Sequence, residues 1–182
     1  MEQLLDMQVG ANPKLLLALM QPTPMHDAVR EGDSARLKAL LRSRRTAGEV
    51  LRQDMFGYTP LILAAECRLG KGAASDEMVA LLLDYGAASV VNVPCKVHDQ
   101  TALHVAAFHG NVGAVQKLIR SGAHVNALTD DHRTPLFQAA FGGHAAVVKE
   151  LLAAGADPSV RDADKQTPLD VTKDVECQGL LA

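Results

Sequence analysis

The stretch Thr134–Asp157 reads TPLFQAAFGGHAAVVKELLAAGAD and contains two short apolar stripes at helical spacing. The stripe residues follow one another at intervals of one, three or four positions: Leu136, Ala139 and Ala140, then Val147, Val148, Leu151 and Leu152. Gly142 and Gly143 separate the stripes, and Gly155 follows the second one. This pattern predicts a helix–turn–helix unit. Neither helix buries its apolar face alone, so the unit requires stacked neighbours.

The Thr-Pro dipeptide that opens this stretch recurs along the chain. It occurs at residues 23–24, 59–60, 134–135 and 167–168, with Thr-Ala at 101–102, so successive threonines are 36, 42, 33 and 33 residues apart. Self-similarity at this period indicates a solenoid. The longest interval indicates insertions, one within Arg68–Asp76, for which we expect a surface loop, and one around Ser89–Lys96.

Four segments resemble the ankyrin repeat. They read TALHVAA at 101–107, SGAHVNA at 121–127, TPLFQAA at 134–140 and AGADPS at 154–159. The resemblance covers residues 22–182 and implies an all-α fold, a solenoid of stacked helix–turn–helix units with β-hairpin fingers. We expect four full repeats, at 22–54, 55–96, 97–129 and 130–162, and a partial repeat at 163–182.

Physical reasons support the residues at the signature positions. Threonine before proline caps the first helix of each unit, and the alanine pairs at 64–65, 106–107 and 139–140 let neighbouring helices approach closely. Glycines at 86, 122 and 155 supply the left-handed residue after the second helices. Each finger also requires a positive φ, for which only the first finger has a glycine, Gly57; the later fingers have Asp99, His132 and Lys165.

The two ends of the chain depart from the pattern. Residues 1–21 form an N-terminal extension, in which Asn12–Pro13 is typical of a helix start. The short apolar helix that would follow is either a cap on the first repeat or a docking segment for another protein. In the partial repeat, either the inter-helix turn is short and Leu180–Leu181 serve as its buried pair, or the chain is cut.

Composition and charge argue against several classes of protein. The net charge is −3 and no stripe of basic residues is present, so we expect no nucleic-acid partner. Cys67, Cys95 and Cys177 are too far apart for a zinc site or a disulfide framework, which favours a reducing compartment, cytoplasmic or nuclear. The apolar run at residues 15–20 is too short to cross a bilayer, so we expect no membrane insertion.

The seven histidines do not form a catalytic pattern. The resemblance implies that His26 and His104 bond to neighbouring backbone and threonine groups. No serine or cysteine lies in a nucleophile elbow, and the acidic pair in residues 162–164 lacks the glycine and distal glutamate of a calcium loop. We therefore expect a protein that is not an enzyme and that has no catalytic residues, cofactor or metal.

The resemblance implies that a protein partner binds the concave face, which is formed by the fingertips and the ends of the first helices. The residues at these positions are Met55, Phe56, Tyr58, His98, Phe108, His109, Asp130, Asp131, Arg133 and Phe141. The chain has four phenylalanines and two tyrosines, and four of these six belong to this set. Aromatic residues are frequent binding anchors. The alternative is that Phe108 and Phe141 pack against adjacent fingers and complete the core.

Taken together, these patterns predict a monomeric protein–protein interaction module, acting as an adaptor, scaffold or inhibitor. The alternative is a substrate-recognition or regulatory subunit of an enzyme complex such as a ubiquitin ligase, whose catalytic part is absent from this chain. Asn126 also resembles asparagines that are hydroxylated in ankyrin repeats, although His124 replaces the usual acidic residue. The alternative for Asn126 is a purely hairpin-stabilising side chain.

Overall fold

The computed structural model describes residues 21–43, 47–66 and 72–182, and all regular elements in these ranges are helices. The α-helices follow one another in pairs. In chain order they are α1 (Pro24–Glu31), α2 (Ser34–Arg42), α3 (Pro60–Ala65), α4 (Gly72–Asp84), α5 (Ala102–Phe108), α6 (Val112–Arg120), α7 (Pro135–Phe141), α8 (Ala145–Ala153), α9 (Pro168–Val171) and α10 (Val175–Leu181). Single 3₁₀ turns at Ala47–Leu51 and Ala87–Val90 follow α2 and α4. The helix predicted after Asn12–Pro13 lies outside the described residues.

The helix boundaries follow from the capping residues. Thr134 and Thr59 each accept a hydrogen bond from the backbone N–H three residues on, at 3.1 and 3.2 Å, and each is followed by proline. Three second helices begin after a side-chain cap, at Asp33, Asn111 and Asp174. The glycines at 86, 122 and 155 have φ values of 103°, 87° and 88°, which confirms the predicted left-handed positions.

Successive helix pairs stack on one another. Each first helix packs against the next first helix, and each second helix against the next second helix. The three alanine pairs are completely buried between first helices, where larger side chains would hold the helices apart. Between second helices the buried anchors are Leu41, Leu82, Leu118 and Leu151, each contributing about 1.5–3 kcal/mol. The result is one continuous core in an all-α solenoid, as the sequence predicts.

The fingers between repeats are tight hairpin turns, and none of their described residues is in a β-strand. Each finger is closed by a backbone hydrogen bond at its base, as between Thr129 N–H and the Arg133 carbonyl at 3.1 Å. The residues predicted to need a positive φ have one: Gly57 (80°), Asp99 (48°), His132 (59°) and Lys165 (64°). His98 also has a positive φ, of 64°, because the second finger is one residue longer at this turn.

Neighbouring fingers are joined through their backbones. The N–H of Lys96 donates to the Phe56 carbonyl at 2.9 Å, and the N–H of Ala163 donates to the Asp131 carbonyl at 2.9 Å. A longer bond of 3.4 Å runs from Asp130 N–H to the His98 carbonyl. The four fingers therefore form one row along the solenoid, and a displacement of one finger is opposed by the next.

The surface loop predicted over Arg68–Asp76 is wrong for its second half. Helix α4 begins at Gly72, and within this region only residues 68–71 lie outside the described residues. Ser75 is buried, donates its hydroxyl to the Ala64 carbonyl and accepts a hydrogen bond from Asn111 Nδ2 at 2.8 Å. These bonds tie the first turns of α4 to both α3 and α6, which explains why the segment is helical.

The final helix pair differs from the other pairs. Helix α9 is a single turn, and α10 follows after Thr172–Asp174. Cys177 is fully buried and Leu181 packs against the core, because residues four apart share one face of a helix. The predicted pair Leu180–Leu181 is therefore wrong for Leu180, which is exposed.

Two buried histidines connect first helices to fingers. His104 Nδ1 accepts from Thr101 N–H at 3.2 Å and lies 2.9 Å from the Thr101 hydroxyl. Its Nε2–H donates to the carbonyls of Ala127 and Arg133, at 3.0 and 3.1 Å. His26 is arranged in the same way on Thr23, with its Nε2 2.9 Å from the Tyr58 carbonyl. The structural roles predicted for both histidines are confirmed.

The pH dependence of stability tests this connection. Burial lowers the pKa of His104 from 6.5 to about 4 and also lowers the pKa of His26. Between pH 6.5 and about pH 4, His104 binds a proton in the unfolded chain but not in the folded protein. Stability is therefore lost as the pH falls, and the free energy of unfolding should drop by about 2 kcal/mol between pH 7 and pH 5 because of His104.

The variant His104→Gln removes this titration. Urea unfolding at pH 7 and pH 5 should show that the variant loses about 2 kcal/mol less stability over this interval than the wild type. Other titrating groups are common to both proteins and cancel in the comparison. Parallel pH profiles for the two proteins would show that His104 is not held neutral.

Candidate partner-binding groove

A groove of about 360 Å³ lies between the fingers and the ends of the first helices. Five of the ten predicted binding residues line it: Tyr58, Phe108, His109, Arg133 and Phe141. The remaining lining residues come from α3 and its end, the second finger, α5 and α7: Ile62, Glu66, Gln100, Val105 and Gln138. The groove spans three consecutive repeats, so its shape depends on the stacking described above.

Phe108 and Phe141 form an exposed aromatic shelf at the ends of α5 and α7. Their rings are nearly parallel, with an interplanar angle of 18° and centroids 6.4 Å apart. The two residues are 41% and 62% exposed. Residues that only complete the core would be buried, so this exposure disagrees with that alternative. His109 meets the Phe108 ring edge-on at 5.2 Å. Nε2 of His144 lies 2.9 Å from the Phe108 carbonyl, which anchors the end of α5 to the start of α8.

A second, smaller pocket of about 120 Å³ adjoins the groove on the finger side. It is lined by three more of the predicted residues, His98, Asp130 and Asp131. Nδ1 of His98 lies 3.4 Å from an Asp130 carboxylate oxygen. Arg133, Gln100 and Gln138 line both pockets, so the two form a continuous surface.

Arg133 lies where the two pockets meet. Its guanidinium carbon lies 5.4 Å from the centroid of the Phe137 ring, a cation–π contact. Its Nε is 3.5 Å from a carboxylate oxygen of Asp162, a side chain that is only 1% exposed. The exposed Asp131 is the other anionic partner, at 3.6 Å from Nη1. The guanidinium is therefore held in position before any ligand arrives.

Asp162 also shapes its own finger. Its Oδ1 accepts hydrogen bonds from the backbone N–H groups of Asp164 and Gln166, at 3.0 and 2.9 Å. Asp54 has the same role in the first finger, where it accepts from Phe56 and Tyr58, both at 3.0 Å. The bases of the first and fourth fingers are thus sites where one buried carboxylate sets the turn.

Two predicted residues lie apart from the groove. Met55 and Phe56 are 44% and 50% exposed at the tip of the first finger, and neither lines the two pockets. Conversely, sequence reasoning missed Val105 and Gln138 on the groove wall. A signal for them existed, because they precede Phe108 and Phe141 by three residues and therefore lie on the same helix face.

Asn126 bridges two repeats with its side chain. Its Nδ2 donates to the Gly155 carbonyl at 3.3 Å, and its Oδ1 accepts from Asp157 N–H at 2.9 Å. Asn92 makes the equivalent bonds one repeat earlier, to Gly122 and His124. The residue is exposed, but both ends of its amide are engaged. These bonds show a hairpin-stabilising role for Asn126, and its hydroxylation stays a prediction.

Neither a metal-binding cluster nor a membrane-spanning helix is found among the described residues. No cluster of three or more His, Cys, Asp or Glu side chains there is placed to hold a metal ion. Likewise, none of the helices in residues 21–43, 47–66 and 72–182 has the length and apolar character needed to cross a membrane.

Comparison with known proteins agrees with this architecture. Residues 73–162 match a family model described as ankyrin repeats in three copies. The chain is similar to protein glp-1 of Caenorhabditis elegans, with 34% identity over 132 residues, which are 70% of this chain and 10% of that protein. It is also similar to the nuclear factor NF-kappa-B p105 subunit of Mus musculus, with 32% identity over 113 residues, 62% of this chain and 11% of that protein.

A third relative is the palmitoyltransferase ZDHHC13 of Homo sapiens, with 36% identity over 83 residues, 46% of this chain and 12% of that protein. The chain thus spans about a tenth of the length of these curated relatives. Its stacked helix pairs and row of fingers define a helical repeat protein. The chain belongs to the ankyrin-repeat family, whose repeats are generally protein–protein interaction modules.

The two anionic partners of Arg133 should differ in their effect on stability. Asp162→Ala removes a buried carboxylate with two backbone hydrogen bonds and should lower the free energy of unfolding by about 2–3 kcal/mol. Asp131→Ala removes an exposed partner and should cost less than about 1 kcal/mol. Chemical denaturation of both variants measures the difference, and similar losses would contradict the role assigned to Asp162.

Proposed function

We propose that this protein is a monomeric interaction module, an adaptor, scaffold or inhibitor, that captures a partner protein in the groove between its fingers and first helices. The observation that carries the proposal is the exposed Phe108–Phe141 shelf, which lines the same groove as Arg133. Exposed aromatic residues in the centre of a concave surface are typical binding anchors.

The mechanism is capture by a surface that is formed in advance. The fingers are joined to one another through backbone hydrogen bonds, and His104 joins them to α5. Such a surface loses little conformational freedom on binding, so more of the contact energy contributes to affinity. In this proposal no covalent step occurs, and the protein acts by holding its partner or by blocking that partner's other contacts.

Affinity capture from native lysate tests the binding face. Phe108→Ala combined with Phe141→Ala should reduce recovery of the captured partner at least about tenfold, because anchor residues carry much of the binding energy. Tyr85→Ala combined with Val175→Ala is the matched control, since these exposed apolar residues line neither the groove nor its adjoining pocket. Equal recovery with both double variants would contradict the proposal.

A second candidate is a recognition or regulatory part of an enzyme complex. The similarity to a segment of a palmitoyltransferase supports this candidate, since in that protein the similar segment is part of an enzyme. The same capture experiment distinguishes the two. Recovery of an enzyme together with its substrate would favour the second candidate, whereas recovery of a single non-catalytic partner would favour the first.

Hydroxylation of Asn126 is proposed only as a modification of this module. Peptide mass spectrometry of the protein purified from its native source should show a gain of one oxygen atom on the peptide that contains Asn126. The peptide that contains Asn92 serves as an internal comparison, because Asn92 makes the same bridging hydrogen bonds. An unmodified Asn126 in the native protein would leave only its structural role.

A further inference from the structure

The charges around the groove are not balanced. Among the described residues that line the groove and its adjoining pocket, the carboxylates of Asp130 and Asp131 accompany the guanidinium of Arg133, and this set contains no second lysine or arginine. The two carboxylates therefore outnumber the guanidinium by one. In addition, the buried Asp162 carboxylate lies 3.5 Å behind the guanidinium and offsets its charge from the protein interior. An anionic ligand is disfavoured here, and a cationic ligand is favoured.

The aromatic shelf favours the same kind of ligand. The rings of Phe108 and Phe141 are nearly parallel, and the two residues are 41% and 62% exposed. The face of an aromatic ring carries negative electrostatic potential and attracts an ammonium or guanidinium group within about 6 Å. The aliphatic part of a lysine or arginine side chain can pack on the same rings and on Val105 while its charged end reaches the carboxylates.

Two carboxamides on the groove wall indicate that the ligand is a peptide. Gln100 and Gln138 line both pockets, and Gln138 is only 7% exposed. Neither side chain is hydrogen-bonded within the part of the chain that the structure describes. A carboxamide offers a donor and an acceptor side by side, which matches the N–H and C=O groups of an extended peptide backbone.

We propose that the partner presents a basic peptide segment to this groove, with an arginine or lysine side chain on the Phe108–Phe141 shelf and its charge facing Asp130 and Asp131. The inference rests on the proposed function, because it assigns the chemistry of the ligand at that same groove. The basic segment is recognised by charge and by aromatic stacking together. A basic peptide held by charge alone would not depend on the two phenylalanines.

Peptide pools with defined central residues test this inference. Four pools of labelled nine-residue peptides carry arginine, lysine, leucine or glutamate at the centre, with uncharged flanking residues. Fluorescence anisotropy measures their binding to the purified protein. The arginine and lysine pools should bind about tenfold more tightly than the leucine and glutamate pools, a difference of about 1.4 kcal/mol.

Charge variants show whether the rim carboxylates are responsible. Asp130→Asn combined with Asp131→Asn should weaken binding of the arginine pool about tenfold, or about 1.4 kcal/mol. Asp84→Asn combined with Glu150→Gln changes the net charge equally, but these residues lie on the second helices α4 and α8, away from the groove. This control should bind the arginine pool as the wild type does.

The outcomes separate this inference from the proposed function. Preference for the leucine or glutamate pool, or equal weakening by the two charge variants, overturns the basic segment. If binding of the preferred pool is lost in the Phe108→Ala, Phe141→Ala variant, the groove is still the binding site. If no pool distinguishes that variant from wild type, the proposed function fails together with the inference.

Discussion

The groove depends on the way one buried imidazole joins a helix to a finger. His104 lies at the start of α5, where its Nδ1 completes the cap made by Thr101. Its Nε2–H reaches the carbonyls of Ala127 and Arg133, on either side of the third finger. Because the imidazole must be neutral and singly protonated to make both sets of bonds, burial and hydrogen bonding fix one tautomer. The orientation of the finger is thereby set by the helix on which it packs.

The next repeat replaces this connection with a different one, and the replacement supplies the chemistry of the groove. Phe137 occupies the position in α7 that His104 has in α5, three residues after the capping threonine. A phenyl ring makes no hydrogen bond to the finger, and Arg133 packs over it instead. The guanidinium then contacts Asp162 at the base of the following finger. A polar connection in one repeat and a cation–π contact in the next thus hold the third finger on α5 and α7, whose ends line the groove.

The sequence predicts most of the fold because its signals are local. The capping threonines and the glycines that end helices each act within a few residues, the alanine pairs recur with the repeat, and each is found where expected. The region Arg68–Asp76 misleads because its glycines and serine suggest a loop. The bond from Ser75 to Ala64, and the bond to Ser75 from Asn111, which stabilise the start of α4, involve residues 11 and 36 positions away. Such contacts have no local signature.

The site is less predictable than the fold for the same reason. The resemblance supplies the residues of the concave face, and eight of them line the two pockets. It does not distinguish those eight from Met55 and Phe56, which lie at the tip of the first finger. The roles of Asp162 and Gln138 depend on which side chains meet across repeats. The balance of charge around the groove is likewise a property of the assembled surface, since the chain as a whole carries only −3.

The central claim is that the concave face, rather than the convex second helices, makes the contact with a partner. Site-specific photocrosslinking tests it directly, with a photoreactive phenylalanine analogue placed at position 141 or at position 85. In native lysate the account predicts a discrete crosslinked product from position 141 and none from position 85. A discrete product from position 85 alone would place the contact outside the groove and contradict the account.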